Sequence, residues 1–458
     1  MAAQTRRSAA ARRPTRAAPP GWRLPPREEA RTADGLTVLV CARGPLPLVS
    51  LRLVIQAGSA QDPAGKEGLA DFTARLLRRG TKRLAAREID DAVEFVGASL
   101  GTGVSEELFL VNITTPAEHL DAMLDVMGQL VREPTFPEEE VASARTRALA
   151  QLANDQDDPG MLADRALTRA YWGAHPYGHD PSGRPSTVRT FTREDVVRFH
   201  REQLGPKVAL LTVVGAVEPQ AVFRAAERAF AGWTGGPESR ARAKATGGPA
   251  LAGKVVVVDK PDQTQTQVRL AGRGFAFGGP DHFPCMVMNT ALGGGFTSRL
   301  VNEIRVNRGL TYGIASYFEA LQADGAFLVT TFTKTETTGK ILKLTLAELK
   351  KMRQKGMTAG ELAHAQTYLS GLYPLRTETN DSVAGTLAQV RLYGVDTDWV
   401  ERYQERVRAV TLKEANAVAA SYLFAQPPLV VLVGNAAALR EQVAPFGEVQ
   451  VLPATESE

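Results

Sequence analysis

Two side chains of opposite charge, Asp71 and Arg75, stand four residues apart in the run Gly68-Leu69-Ala70-Asp71-Phe72-Thr73-Ala74-Arg75-Leu76-Leu77. The spacing puts them on one helix face, where two neutral imidazoles and a third ligand from elsewhere could share a zinc ion. A carboxylate and a guanidinium cannot do this, because the guanidinium is always charged, only donates, and repels a cation. What the pair predicts is an i,i+4 ion pair, contributing about 0.3–0.5 kcal/mol on a helix surface. His175 and His179 repeat the spacing, but Pro176 and Gly178 lie between them and predict a turn, so we do not read them as a metal pair. Glu138, Glu139 and Glu140 follow Pro137 and fit the first turn of a helix, where acidic side chains favour the dipole. Cys41 and Cys285 sit in apolar stretches far apart in the chain and read as buried thiols, which suits a reducing compartment.

The frame around Asp71 closely resembles the zinc helix of the insulinase/pitrilysin metallopeptidases, the M16 family. Their motif reads G-L-A-H-x-x-E-H after an Ala-Gly-Ser turn, which here is Ala57-Gly58-Ser59. On that motif Asp71 replaces the first histidine, Ala74 the general-base glutamate and Arg75 the second histidine. The family's third ligand is a glutamate in a downstream helix that ends in an acidic run. The run here is Asp157-Asp158-Pro159, and Gln151, a poor ligand, holds the matching position. The resemblance therefore implies a degenerate zinc site, with no metal and no cofactor in this chain.

A second stretch, Ala291-Leu-Gly-Gly-Gly-Phe-Thr-Ser-Arg-Leu-Val-Asn-Glu-Ile-Arg-Val-Asn-Arg-Gly-Leu-Thr-Tyr-Gly313, is similar to the signature of the family's second domain. There an arginine and a tyrosine seven residues apart hold the substrate carbonyl near the metal. Arg305 and Tyr312 occupy those positions with the spacing kept. Both are donors, and peptide hydrolysis builds negative charge on the scissile carbonyl oxygen, so donors preorganised there lower the barrier. Within the motif, Gly293, Gly294 and Gly295 predict a tight turn. Ser298 reads as the cap of a helix from Arg299 to Arg308 closed by Gly309, and Arg299 and Arg308 read as surface or capping charges.

The elements that position these residues are written twice. Thr192 and Thr411 each begin a helix that leads into an apolar strand closed by Gly215 and Gly434, and both pairs lie 219 residues apart. Leu51–Ile55 and Gln267–Ala271 read as matching strands early in each half. Strands and helices mix without strict βαβ alternation, which predicts α+β layers. We divide the chain into a basic extension (1–28), a first domain carrying the degenerate site (29–234), a Gly/Pro/Ser/Arg-rich linker (235–253), a second domain carrying the Arg-Tyr motif (254–450) and a tail (451–458). The resemblance, over about residues 30–450, implies two homologous domains forming half of a clamshell.

The formal charge of +4 misleads, because residues 1–27 hold seven arginines and no acid, leaving 47 basic against 50 acidic residues in the rest. There is no basic stripe with interleaved aromatics, so nucleic acid is not expected as a partner. No run of 18 or more apolar residues occurs, so no membrane insertion is expected. The first residues lack a secretory apolar core, and prolines at 14, 19 and 20 interrupt any amphipathic presequence helix. A bacterial cytoplasmic location is expected, with the mitochondrial matrix as the alternative. The resemblance implies a non-catalytic subunit paired with an M16 homologue that carries H-x-x-E-H and zinc, acting on peptide substrates. It leaves open a structural scaffold of the same fold with no peptidase role.

Overall fold

The computed structural model describes residues 23–245, 248–424 and 427–454, so most of the basic extension lies outside the described residues. The first sheet is built from β1 (Arg27–Arg31), β2 (Thr37–Ala42), β3 (Leu48–Ile55), β4 (Ser99–Val104), β5 (Phe109–Pro116) and β6 (Ala209–Gly215). Its order is β1-β2-β6-β3-β5-β4. β6, Ala-Leu-Leu-Thr-Val-Val-Gly, is buried at every position because it runs through the sheet centre with both faces covered. Helices α1 (Leu69–Leu76), α2 (Glu138–Asp157), α3 (Pro159–Trp172) and α4 (Arg193–Gln203) belong to the same half.

The second half repeats the plan with β7 (Lys254–Asp259), β8 (Gln265–Arg273), β9 (Ile314–Ala320), β10 (Gly325–Lys334), β11 (Leu429–Gly434) and β12 (Glu448–Pro453), in the order β12-β7-β11-β8-β10-β9. Its helices include α5 (His282–Asn289), α6 (Ala359–Arg376), α7 (Asn380–Leu392) and α8 (Leu412–Tyr422). Five strands correspond one for one between the sheets. The sixth does not: β1 runs antiparallel to β2, whereas β12 runs parallel to β7. The expected threonine caps are present in both copies. Thr192 accepts from Asp195 N at 3.2 Å and Thr411 from Glu414 N at 3.2 Å, and each acid side chain reaches back to its threonine N–H.

Helices of each half cover one face of their own sheet, and the remaining faces are covered reciprocally. α3, from the first half, packs on β8 and β11 of the second sheet. Its Leu162, Ala163, Ala166 and Leu167 join Val256, Val258, Val431 and Val433 in one apolar cluster. In return α7, from the second half, lies across β3 and β6 of the first sheet. Its fully buried Leu387, packed with Val54 and Val214, contributes about 2 kcal/mol by leaving water.

Two sequence boundaries are shifted by this arrangement. β1 starts at Arg27, inside the span assigned to the extension, and residues 451–453, assigned to the tail, complete β12. The expected linker, 235–253, holds no helix or strand among its described residues and is tied down at two points: Arg240 donates to Gln56 O at 2.8 Å, and Ala250 N to Tyr171 O at 2.7 Å. Edge pairing and backbone hydrogen bonds recruit these residues although their composition reads as loop.

Candidate functional site

α1 begins where the chain turns at Gly68, whose φ of +98° is left-handed and whose Cβ, if present, would lie 2.6 Å from Gly183 Cα. The carboxylate of Asp62 stands at this helix start, accepting from Gly68 N and Ala70 N at 2.7 Å each. Behind it, His179 Nε2 lies 3.1 Å from Asp62 Oδ2. Burial pulls the His179 imidazole down, but the Asp62 hydrogen bond and charge outweigh it, and the net shift is upward. His175 Nε2 lies 2.9 Å from Lys244 O, and its Nδ1 accepts from Tyr177 N at 3.1 Å. Both histidines thus hold loops in place and converge on no shared point.

α1 buries Leu69, Ala70, Phe72, Thr73, Ala74 and Leu76 and turns Asp71 and Arg75 the other way. The predicted ion pair is present, with Arg75 Nε 2.6 Å from Asp71 Oδ2. It is not purely a surface pair, since the Asp71 side chain is only 18% exposed against 44% for Arg75. Burial raises the Asp71 carboxyl, Arg75 opposes that, and the charge of Asp180 adds to it. Ala74 is fully buried. On the neighbouring α2, Gln151 Nε2 donates to Asp155 Oδ1 at 2.7 Å. Asp155 also holds Arg165 Nη2 at 2.6 Å, and Arg165 Nε reaches Asp180 at 2.9 Å. Zinc does not fit these residues: the Asp71 carboxylate already serves Arg75, and Asp155 and Asp180 serve Arg165, so guanidinium groups stand where a cation would need to be. Among the described residues no group of three or more His, Cys, Asp or Glu side chains is disposed to hold a metal. Asp158 instead caps α3, accepting from Gly160 N at 2.7 Å.

The second motif wraps the end of β9. Residues Thr290–Gly294 and Val301–Asn307 adopt wide π-helical turns, a geometry often found at functional positions. Gly293 is needed because a Cβ there would meet Ser316 Oγ at 2.3 Å. The helix expected over Arg299–Arg308 forms, with Gly309 at φ +60°, but the Ser298 hydroxyl is buried without a partner and caps nothing. Arg299 is no surface charge either. It binds Glu361 on α6 through two contacts of 2.6 and 2.8 Å and donates to Gly356 O at 2.9 Å, fixing the motif to α6.

Arg305 and Tyr312 are brought side by side, the guanidinium carbon 5.1 Å from the Tyr312 ring centre. Phe296 forms the other wall at 4.8 Å. Sequence reasoning missed this residue, although it lies inside the motif, because a ring contributes no donor of its own. Tyr312 is 80% exposed and Phe296 76% exposed, and neither Arg305 nor Tyr312 gives a side-chain hydrogen bond to a described residue. Beside them lies a hollow of about 350 Å³ bordered by Gln267, Arg269, Ile314 and Thr330. The arrangement presents two free donors on an apolar shelf, able to bind a carbonyl oxygen or a carboxylate.

Paired six-stranded sheets, reciprocally crossed helices and an exposed Arg-Tyr pair define a duplicated α+β protein. The comparisons identify which one. Residues 38–181 match the family model described as insulinase (peptidase family M16), and residues 190–369 match that of the peptidase M16 inactive domain. The chain belongs to the M16 peptidase family. It is 26% identical over 379 residues to an uncharacterized zinc protease of Streptomyces coelicolor, covering 82% of each chain. A similarly described protein of Mycobacterium tuberculosis is 28% identical over 373 residues, covering 81% of this chain and 84% of its own. The structure resembles a peptidase M16 inactive domain from Pseudomonas fluorescens with a TM-score of 0.83 and 27% identity, over 89% of this chain and 98% of that one. It also shares its fold with a protease from Helicobacter pylori, at a TM-score of 0.82 and 24% identity over 90% and 100% of the two chains.

Proposed function

We propose that this chain is the non-catalytic member of a two-subunit M16 peptidase, pairing with a homologue that carries H-x-x-E-H and zinc. The observation that carries the reading is the Arg305–Tyr312 pair, whose donors meet no described residue, while Asp71 on α1 is already paired with Arg75. In that assembly this chain supplies chamber wall and substrate contacts. Arg305 and Tyr312 donate to the carbonyl oxygen as negative charge develops on it, and the partner supplies metal, water and base. The substrates are peptides or unfolded segments, because a closed chamber excludes folded proteins. The relatives named above are bacterial and both cysteines are buried free thiols, which supports the bacterial cytoplasm as the site of action. No helix among the described residues is long and apolar enough to cross a membrane.

The test is peptide cleavage by this chain alone and after co-expression with its nearest H-x-x-E-H homologue. Silence alone with zinc-dependent cleavage together, weakened by Arg305→Ala, supports the proposal. A stable complex whose activity ignores Arg305→Ala and Tyr312→Phe would move the protein to the scaffold class.

A further inference from the structure

β10 changes character toward its end. Phe327, Val329, Thr331 and Thr333 follow one another at the strand's period of two and so share one face of the sheet. Phe327 and Val329 are fully buried in the core of the second half. Thr331 and Thr333 are nearly as deep, at 4% and 2% exposure. A valine would fill either place with the same shape, and a buried hydroxyl is costly unless it is hydrogen-bonded. Both hydroxyls are bonded, and both reach the loop that carries Tyr312.

The last rung between β9 and β10 joins Ile314 to Thr331. Just before it, residues 309–313 hold neither helix nor strand, so their backbone groups have no ladder to join. The two threonine side chains extend the ladder instead. Thr331 Oγ1 donates to Gly313 O at 2.9 Å, and Thr333 Oγ1 donates to Leu310 O at 2.7 Å. Thr311 Oγ1, 3.3 Å from Thr331 Oγ1, accepts from Gly313 N at 3.1 Å. The far side of the loop is tied to the turn that carries Arg305: Leu310 N donates to Ile304 O and Gly309 N to Arg305 O, each at 3.1 Å. Crowding does not hold the loop, since a Cβ at Gly309 or Gly313 would meet nothing within 4 Å. Tyr312 is itself mostly exposed, so the backbone on either side of it sets its place.

We propose that Thr331 and Thr333 are positioning residues, whose hydroxyls pin the backbone on both sides of Tyr312 and so set the phenol against Arg305. The consequence for catalysis rests on the proposed function, whereas the placement of Tyr312 is a property of this chain alone.

The experiment replaces both threonines with valine, which keeps their shape and strand preference and removes the hydroxyls. The full chain, labelled with 3-fluorotyrosine, is followed by fluorine NMR, with Tyr312→Phe identifying the Tyr312 resonance. In the Thr331→Val, Thr333→Val variant that resonance should shift and narrow while the other tyrosine resonances stay in place. Thr331→Ser with Thr333→Ser, which keeps the hydroxyls, should hold the native position. In the complex with the H-x-x-E-H homologue, the valine variant should lower kcat about 10- to 10²-fold with KM little changed, the usual scale for a misplaced catalytic group. It should lower kcat no further when Tyr312→Phe is already present. Should the double valine variant not fold, Thr331→Val alone takes its place. A Tyr312 resonance that valine leaves unmoved, or that serine fails to restore, overturns the inference. A released Tyr312 with cleavage indifferent both to the valines and to Tyr312→Phe upholds the positioning and overturns the catalytic reading of Tyr312.

Discussion

The guanidinium carbon of Arg305 lies over two rings, 4.8 Å from the centre of Phe296 and 5.1 Å from that of Tyr312. Both rings are largely exposed, at 76% for Phe296 and 80% for Tyr312. A planar guanidinium held by two rings keeps several N–H donors in a fixed fork, which a lysine could not reproduce. Under the proposed function, Arg305→Ala lowers kcat of the two-subunit peptidase by about 10²- to 10³-fold, the usual effect of removing an oxyanion donor. Arg305→Lys should recover little of that loss and Phe296→Ala should lose part of it, both read by steady-state peptide cleavage.

Restoring the ligand set tests whether only the side chains were lost. α1 and α2 pack together, and they carry positions 71, 75 and 151. The combined variant Asp71→His, Ala74→Glu, Arg75→His, Gln151→Glu should hold close to one zinc per chain after dialysis, measured by elemental analysis. A metal-free variant would show that the backbone has also drifted from ligating geometry.

Glu107 is the joint between the halves. Its carboxylate accepts from the hydroxyls of Tyr177, in the first half, and Tyr393, in the second, and from Gln322 N at 2.9 Å. Tyr177 and Tyr393 are buried, so Glu107→Ala strands both hydroxyls. We expect about 2–4 kcal/mol of destabilisation by urea unfolding, with Glu107→Gln milder because an acceptor remains.

Two buried groups should give stability opposite pH slopes. Burial holds the His282 imidazole down to about 4 from 6.5, so between those values the unfolded chain binds more protons. Stability from this group is complete above pH 6.5 and drains away as pH falls toward 4. His282→Phe should narrow the difference in Tm between pH 7 and pH 5.

Glu319 behaves oppositely. Burial first, then the charges of Glu106 and Asp164, raise it from 4.5 to about 7. Here the folded chain binds more protons between those values, so this contribution is complete below pH 4.5 and is lost as pH rises through 7. Glu319→Gln should raise Tm at pH 8 and leave it unchanged at pH 4, by scanning calorimetry.

Much of this was readable in the chain because it depends on neighbours in sequence. The Thr192 and Thr411 caps, the Asp71–Arg75 pair and the spacing of Arg305 from Tyr312 are set within a helical turn or two. Local hydrogen bonds and side-chain spacing determine them, so their residue types are sufficient evidence. The duplication was legible for the same reason, as two copies of one local pattern.

What tertiary structure alone decided is where far-separated residues meet. Nothing local in α3 says that its apolar stripe will cover the other half's sheet, or that α7 will return the exchange. Each sheet has two apolar faces and only the partner half has a spare helix to close the second, a global requirement of burial rather than of propensity. Asp62 meeting His179, Arg299 meeting Glu361 and Glu107 meeting Tyr393 follow from that closure, because each contact spans a sequence distance over which residue pattern carries no register. The sequence by itself determined which chemistry each segment carries, and the packing of two sheets against one another's helices determined which of those segments meet.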